Sequence, residues 1–131
     1  MKGSILLAVG LGSALGGLSR FYTDTFLLSF VWANTYTSLF LINMLGSFLI
    51  GLFLIRSQTM DDDSAKIYWH FWGVGFCGGF TTFASFVFLL LEGLSNESAL
   101  DTSIYATFSV LGGMIALVTG LIVSQKLLAK S

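Results

Sequence analysis

An all-α integral membrane protein of four transmembrane helices, the third of them broken, is the fold this sequence predicts. Three observations predict it. The chain of 131 residues is 55% hydrophobic and 10% charged, with a mean hydropathy of +0.86, whereas a soluble chain is roughly a quarter charged. Four apolar runs, each near the ~20 residues that cross the hydrocarbon of a bilayer, are separated by short polar stretches. The third run places Gly73, Gly75, Gly78 and Gly79 just before Thr81-Thr82, a stretch too poor in helix propensity for one uninterrupted helix.

The runs set the expected spans at about Ser4 to Leu28, Thr37 to Ile55, Ile67 to Leu91 and Ser103 to Leu127. They fill residues 1–131 as one four-span domain. The first is too long for the apolar stretch of a cleaved signal and contains Arg20. There is no proline, so a helix break must come from glycine, serine or threonine. The net charge of −1 offers no basic patch for nucleic acid. One cysteine, Cys77, excludes an intramolecular disulfide and a four-cysteine metal site, and reads as a small packing residue. The triplet Asp61-Asp62-Asp63 reads as a solvated turn, since nothing beside it supplies the further oxygens a calcium ion takes.

Loop charges give an orientation. With four spans, Lys2, Arg56, Lys66, Lys126 and Lys130 share one side, whereas the loops near 29–36 and 94–102 hold Glu97 and Asp101 and no basic residue. The positive-inside rule then puts both termini in the cytoplasm. His70, between Trp69 and Trp72, fits an aromatic belt at the membrane interface.

Polar residues within apolar spans are expensive and therefore functional candidates. In the first span Gly12 and Gly16 form a GxxxG pair for close helix packing. Arg20 follows, either snorkelling to the interface or supplying a fixed positive charge at the mouth of an anion path. In the second, Asn43 stands in an apolar run, either as a helix–helix hydrogen-bonding residue or as a neutral donor to an anion. In the third, a break would free backbone carbonyls for a cation or a pore. Phe80, Phe83 and Phe86 recur at i, i+3, i+6, and such a file of weakly positive ring edges attracts a small anion when it is not simply core. In the fourth, Tyr105 and Ser109 stand one turn apart, forming a polar track or bonding their own backbone. No nucleophile–base set, metal-ligand cluster or phosphate-binding loop is present in the sequence, and no enzyme is expected. Asp24 and Glu92 fall near span ends, so there is no deep acid for a proton-coupled carrier.

These residues, in this order, resemble the Fluc (CrcB) family of fluoride channels over nearly the whole chain. The stretch Gly75-Phe-Cys-Gly78-Gly79-Phe-Thr81-Thr82-Phe83-Ala-Ser85-Phe86 is similar to the family's GFCGGFTTFSTF run. Leu39-Phe-Leu-Ile-Asn43-Met-Leu-Gly46-Ser47-Phe48 is similar to its TLxVNxxGSF stretch, and Gly12-Ser-Ala-Leu-Gly16-Gly-Leu-Ser-Arg20-Phe21 to GGxxGAxxRY. Tyr105 and Ser109 match a tyrosine and a serine of the family's fourth helix.

The resemblance implies a passive, fluoride-selective channel in the plasma membrane. It would export fluoride that entered as HF, and would be built as an antiparallel dimer with two pores. It implies that Phe83 and Phe86, with Ser85, Tyr105 and Ser109, lie along the fluoride path. Asn43 would donate a hydrogen bond there, and Arg20 would stand near the vestibule. Backbone carbonyls of Gly78 and Thr81 would hold a structural sodium ion at the dimer interface. The sequence departs from the family at Ala84 and Leu89, where serine and glutamate are usual, at Phe21, and at Thr37-Ser38.

The charge bias adds an expectation of its own. A chain that inserts both ways should have balanced loop charges, and this one does not. The expected partner is a second antiparallel subunit, either another copy of the chain or, as the bias favours, an oppositely oriented paralogue. A non-conducting subunit of such a pair and a small four-span multidrug exporter are the alternative functions. The exporter would need a deep carboxylate in its first span.

Overall fold

The computed structural model describes residues 2–96 and 98–129. Glu97 and Lys130 of the charge tally lie outside them. All regular structure is helical: α1 Lys2–Leu28, α2 Thr35–Ser57, α3 Asp62–Tyr68, a π-helical stretch Trp69–Cys77, α4 Gly78–Phe80, α5 Phe83–Asn96 and α6 Ala99–Leu128. Among the described residues, four helical runs are long and apolar enough to cross a membrane: Lys2–Leu28, Thr35–Ser57, Asp62–Asn96 and Ala99–Leu128. Each starts earlier or ends later than the apolar runs, because polar residues at the ends cap the helices. The Asn34 side chain accepts from Thr37 N at 2.9 Å to start α2, and the Ser98 hydroxyl accepts from Leu100 N at 3.2 Å to start α6. Asp61, first of the acidic triplet, caps α3. The Ser64 N–H it accepts at 3.1 Å holds its carboxyl below the usual range.

Backbone contact, not side-chain interlock, joins the helices. Gly12 and Gly16 lie against the Phe71 and Phe76 carbonyl oxygens, so close that a Cβ at either would collide with them. Gly75 and Gly79 return the arrangement against the carbonyls of Val9 and Ser13. The GxxxG pair thus packs within the chain, α1 against the π-helical stretch. On the other side α2 meets α6 by the same device, Gly51 facing the Leu117 carbonyl and Gly120 that of Phe48. Outside, Leu6, Leu7, Leu11, Phe26, Ile115 and Val118 are exposed, as residues facing hydrocarbon are.

In the third run the interruption falls at the threonines that follow the glycines. The glycines stay helical, Gly78 included, with φ −65° and ψ −35°. Thr81 instead turns extended, φ −81° and ψ 163°, and helix resumes at Phe83. The close packing against α1 stabilises the glycine stretch, which explains why its low propensity does not break it there.

Candidate functional site

Asn43 decides what happens at the interruption. Its Oδ1 accepts the Thr82 N–H at 3.0 Å, and its Nδ2 donates to the Thr82 carbonyl at 3.4 Å. In a continuous helix Thr82 N–H would bond the Gly78 carbonyl. Here it is taken by Asn43, and the Gly78 carbonyl is released. Thr81 N–H and Oγ1 both donate to the Cys77 carbonyl, at 2.9 and 2.8 Å, closing the end of α4. Thr82 Oγ1 then opens α5, accepting from Ser85 N at 3.2 Å and donating to Ser85 Oγ at 3.1 Å. An amide carries two N–H groups, and only one is engaged with Thr82.

Asn43 also lines a cleft of about 260 Å³ with Ser47, Thr81, Thr82, Phe83, Phe86, Ser109 and Val110. Phe83 and Phe86 stand 6.2 Å apart at 41°, and Phe86 is 6.0 Å from Tyr105. Phe83 is 78% exposed, so one full face of this ring has no neighbour within the chain. Phe80 does not join them. It is buried and stacks on Phe76 at 5.8 Å, because the extended Thr81 rotates it away. The expected file of three rings is a pair.

The hydroxyl oxygens of Tyr105 and Ser109 are buried and have no hydrogen-bond partner among the described residues. Neither bonds its own backbone, the bland alternative for such residues. Buried hydroxyls without partners are uncommon and cost about 1–3 kcal/mol each.

Arg20 and Ser85 are not part of this cleft. They line a second cavity of about 670 Å³ together with Asp24, Thr82, Ala84, Leu89 and Glu92. Arg20 sits about 12 Å, two turns, before the end of α1 at 1.5 Å per residue. Asp24 accepts a short hydrogen bond from the wholly buried Ser38, tying α1 to α2. Both departures from the family motif in α5, Ala84 and Leu89, face this cavity rather than the phenylalanine cleft, and Glu92 lies one turn beyond Leu89. A groove of about 270 Å³ passes Gly46, Ser47, Gly73, Gly78 and Thr81, and space around Gly78 is open. Besides glycine backbone it is lined by the hydroxyl-bearing Ser47 and Thr81, oxygen groups of the kind a hard monovalent cation takes. No group of three His, Cys, Asp or Glu forms among the described residues.

The sequence reading missed Ser47, Thr82, Asp24 and Ser38. Of these, Ser47 was within reach, four residues after Asn43 and so on the same helix face.

A family profile described as CrcB-like protein, Camphor Resistance (CrcB), matches residues 7–121. Similar proteins include one from Chlorobium phaeobacteroides, 39% identical over 119 residues (89% of each chain). Another, from Azotobacter vinelandii, is 35% identical over 125 residues (92% of this chain, 97% of that one). A third, from Francisella philomiragia, is 34% identical over 121 residues (90% and 92%). Each bears the name "Fluoride-specific ion channel FluC"; they are ion channels and not enzymes. With its four membrane-crossing helices and a match spanning nearly its whole length, this chain belongs to the CrcB family of fluoride channels.

Proposed function

We propose that this chain is the single-unit, four-span subunit of a passive fluoride-selective channel in the plasma membrane, with both termini cytoplasmic. The observation that carries the reading is the cleft in which Asn43, Phe83, Phe86 and Ser109 meet, bordered by the unpartnered hydroxyls of Tyr105 and Ser109. Every donor that faces this path is neutral. The free N–H of Asn43 and the two hydroxyls replace part of the hydration of a small anion, and the edges of Phe83 and Phe86 attract it weakly. Such a path admits the ion without trapping it, as conduction requires. Arg20, in the neighbouring cavity, raises local anion concentration at the outer mouth of the path. Fluoride entering as HF dissociates at cytoplasmic pH and leaves by this route without ATP.

The exposed face of Phe83 and the open side of the cleft suit a second subunit, which on this reading sits antiparallel and completes two pores. Gly78 and Thr81 would hold a structural sodium ion with their carbonyls at that interface. The ion would fix the two interruptions against each other.

The loop charges favour a second reading, an oppositely oriented paralogue as partner, since a strong bias allows one insertion direction. In its extreme form this subunit's own pore is degenerate. Reconstitution of the purified chain in liposomes, with valinomycin to carry potassium and an electrode to follow fluoride, tests both. Fast fluoride efflux without chloride leak establishes a self-assembling channel and ends the paralogue reading. Efflux only after the paralogue is added establishes the pair. No efflux in either case refutes the channel.

A further inference from the structure

We propose that Ser47 is a further ion-holding residue, passing the fluoride ion to Asn43 from one turn nearer the cytoplasmic end of α2. The inference rests on the cleft being the fluoride path. Ser47 borders three spaces at once: the phenylalanine cleft, the groove beside Gly78 and Thr81, and a space of about 330 Å³ that continues between α2 and α6 past Ser109, Val110, Gly113 and Leu117. At four residues' separation it shares a helix face with Asn43, about 6 Å along the axis. The facing position on α6 is Gly113, where a Cβ would come 3.5 Å from Ser47 Oγ. Glycine there leaves the serine hydroxyl room to turn.

The hydroxyl is also uncommitted. Ser57 on α2, and Ser103, Thr107, Thr119 and Ser124 on α6, each donate to a backbone carbonyl. Ser47 makes no such bond among the described residues, nor does Ser109 opposite. Two hydroxyls from two helices therefore face one continuous space with their protons unassigned. Beyond them the lining is Ile50, Gly113, Met114 and Leu117, without side-chain donors. Ser47 and Ser109 thus mark the last side-chain donors toward the cytoplasmic ends of α2 and α6, the step at which an entering anion exchanges water for protein donors. A hydroxyl serves both partners: its proton meets the anion and its oxygen accepts from water.

The test compares fluoride efflux through Ser47→Ala, Ser47→Thr and Ser57→Ala in whichever assembly conducts, the chain alone or paired. Ser47→Ala should lower the efflux rate about tenfold, the size of one lost hydrogen bond to a charged partner. Ser47→Thr, which keeps the hydroxyl, should stay within about threefold. Ser57→Ala should match the parent. Unchanged efflux in Ser47→Ala overturns the proposal, and so does an equal loss in Ser47→Ala and Ser47→Thr, which would show a packing role. A parent that conducts no fluoride overturns the channel reading itself and this inference with it.

Discussion

Replacing Asn43 with aspartate separates the two tasks its amide performs. The side chain keeps its shape and keeps the oxygen that accepts Thr82 N–H at 3.0 Å, so the interruption between α4 and α5 should persist. That N–H also favours the ionised carboxylate. What changes is the nitrogen: its 3.4 Å bond to the Thr82 carbonyl is lost, and the donor facing the cleft becomes a negative charge. A space of about 260 Å³ has a radius of about 4 Å, and two like charges at that distance repel by about 4 kcal/mol at an effective dielectric of 20. At 1.4 kcal/mol per tenfold, the fluoride efflux rate should fall by about 100- to 1,000-fold, the lower figure allowing for water in the cleft. The control is Asn43→Leu, which loses both bonds to Thr82 and should destabilise the fold by about 1–3 kcal/mol through the orphaned N–H. The assay is electrode-recorded efflux from liposomes, with size-exclusion profiles to establish that each variant is folded. An Asn43→Asp protein that elutes like the parent and conducts within about threefold of it would refute the placement of Asn43 on the ion path.

Other outcomes follow from the same geometry. Phe83→Ile or Phe86→Ile should reduce efflux at least about tenfold by removing the ring edge; the exposed Phe83 should do so with little change in melting temperature, and unchanged flux in both variants would end the ring-edge account. Gly16→Leu should cost about 1–3 kcal/mol or prevent folding, because its side chain meets the Phe76 carbonyl, whereas Gly17→Ala, with open space around it, should melt like the parent. Replacing sodium by a large organic cation during purification should lower activity and loosen the assembly. Full flux after sodium-free preparation would remove the carbonyls of Gly78 and Thr81 from the account.

Composition and pattern determined the solvent. Ten per cent charge and four long apolar runs leave no other architecture, because a backbone in hydrocarbon must satisfy its own hydrogen bonds within helices. The individual polar residues were legible for the same reason: Asn43, Arg20, Tyr105 and Ser109 stand out where polarity is costly. Their grouping was legible only through the family resemblance and not from periodicity. Periodicity put Phe80, Phe83 and Phe86 on one face, yet an extended Thr81 sends Phe80 into the core and leaves two rings at the cleft. Ser85, expected along the path, and Arg20, expected near its vestibule, both line the neighbouring cavity, and capping turns Ser85 toward Thr82.

Propensity marked the whole stretch from Gly73 to Thr82 as weak; tertiary contact sets the interruption at Thr81-Thr82. Packing of Gly75 and Gly79 on α1 holds the glycine stretch helical, and a side chain 39 residues away, Asn43, takes the Thr82 N–H that would have continued the helix. Local sequence states the cost of each conformation. Where several are close in cost, a single long-range hydrogen bond decides among them, and only the folded chain brings its partners together.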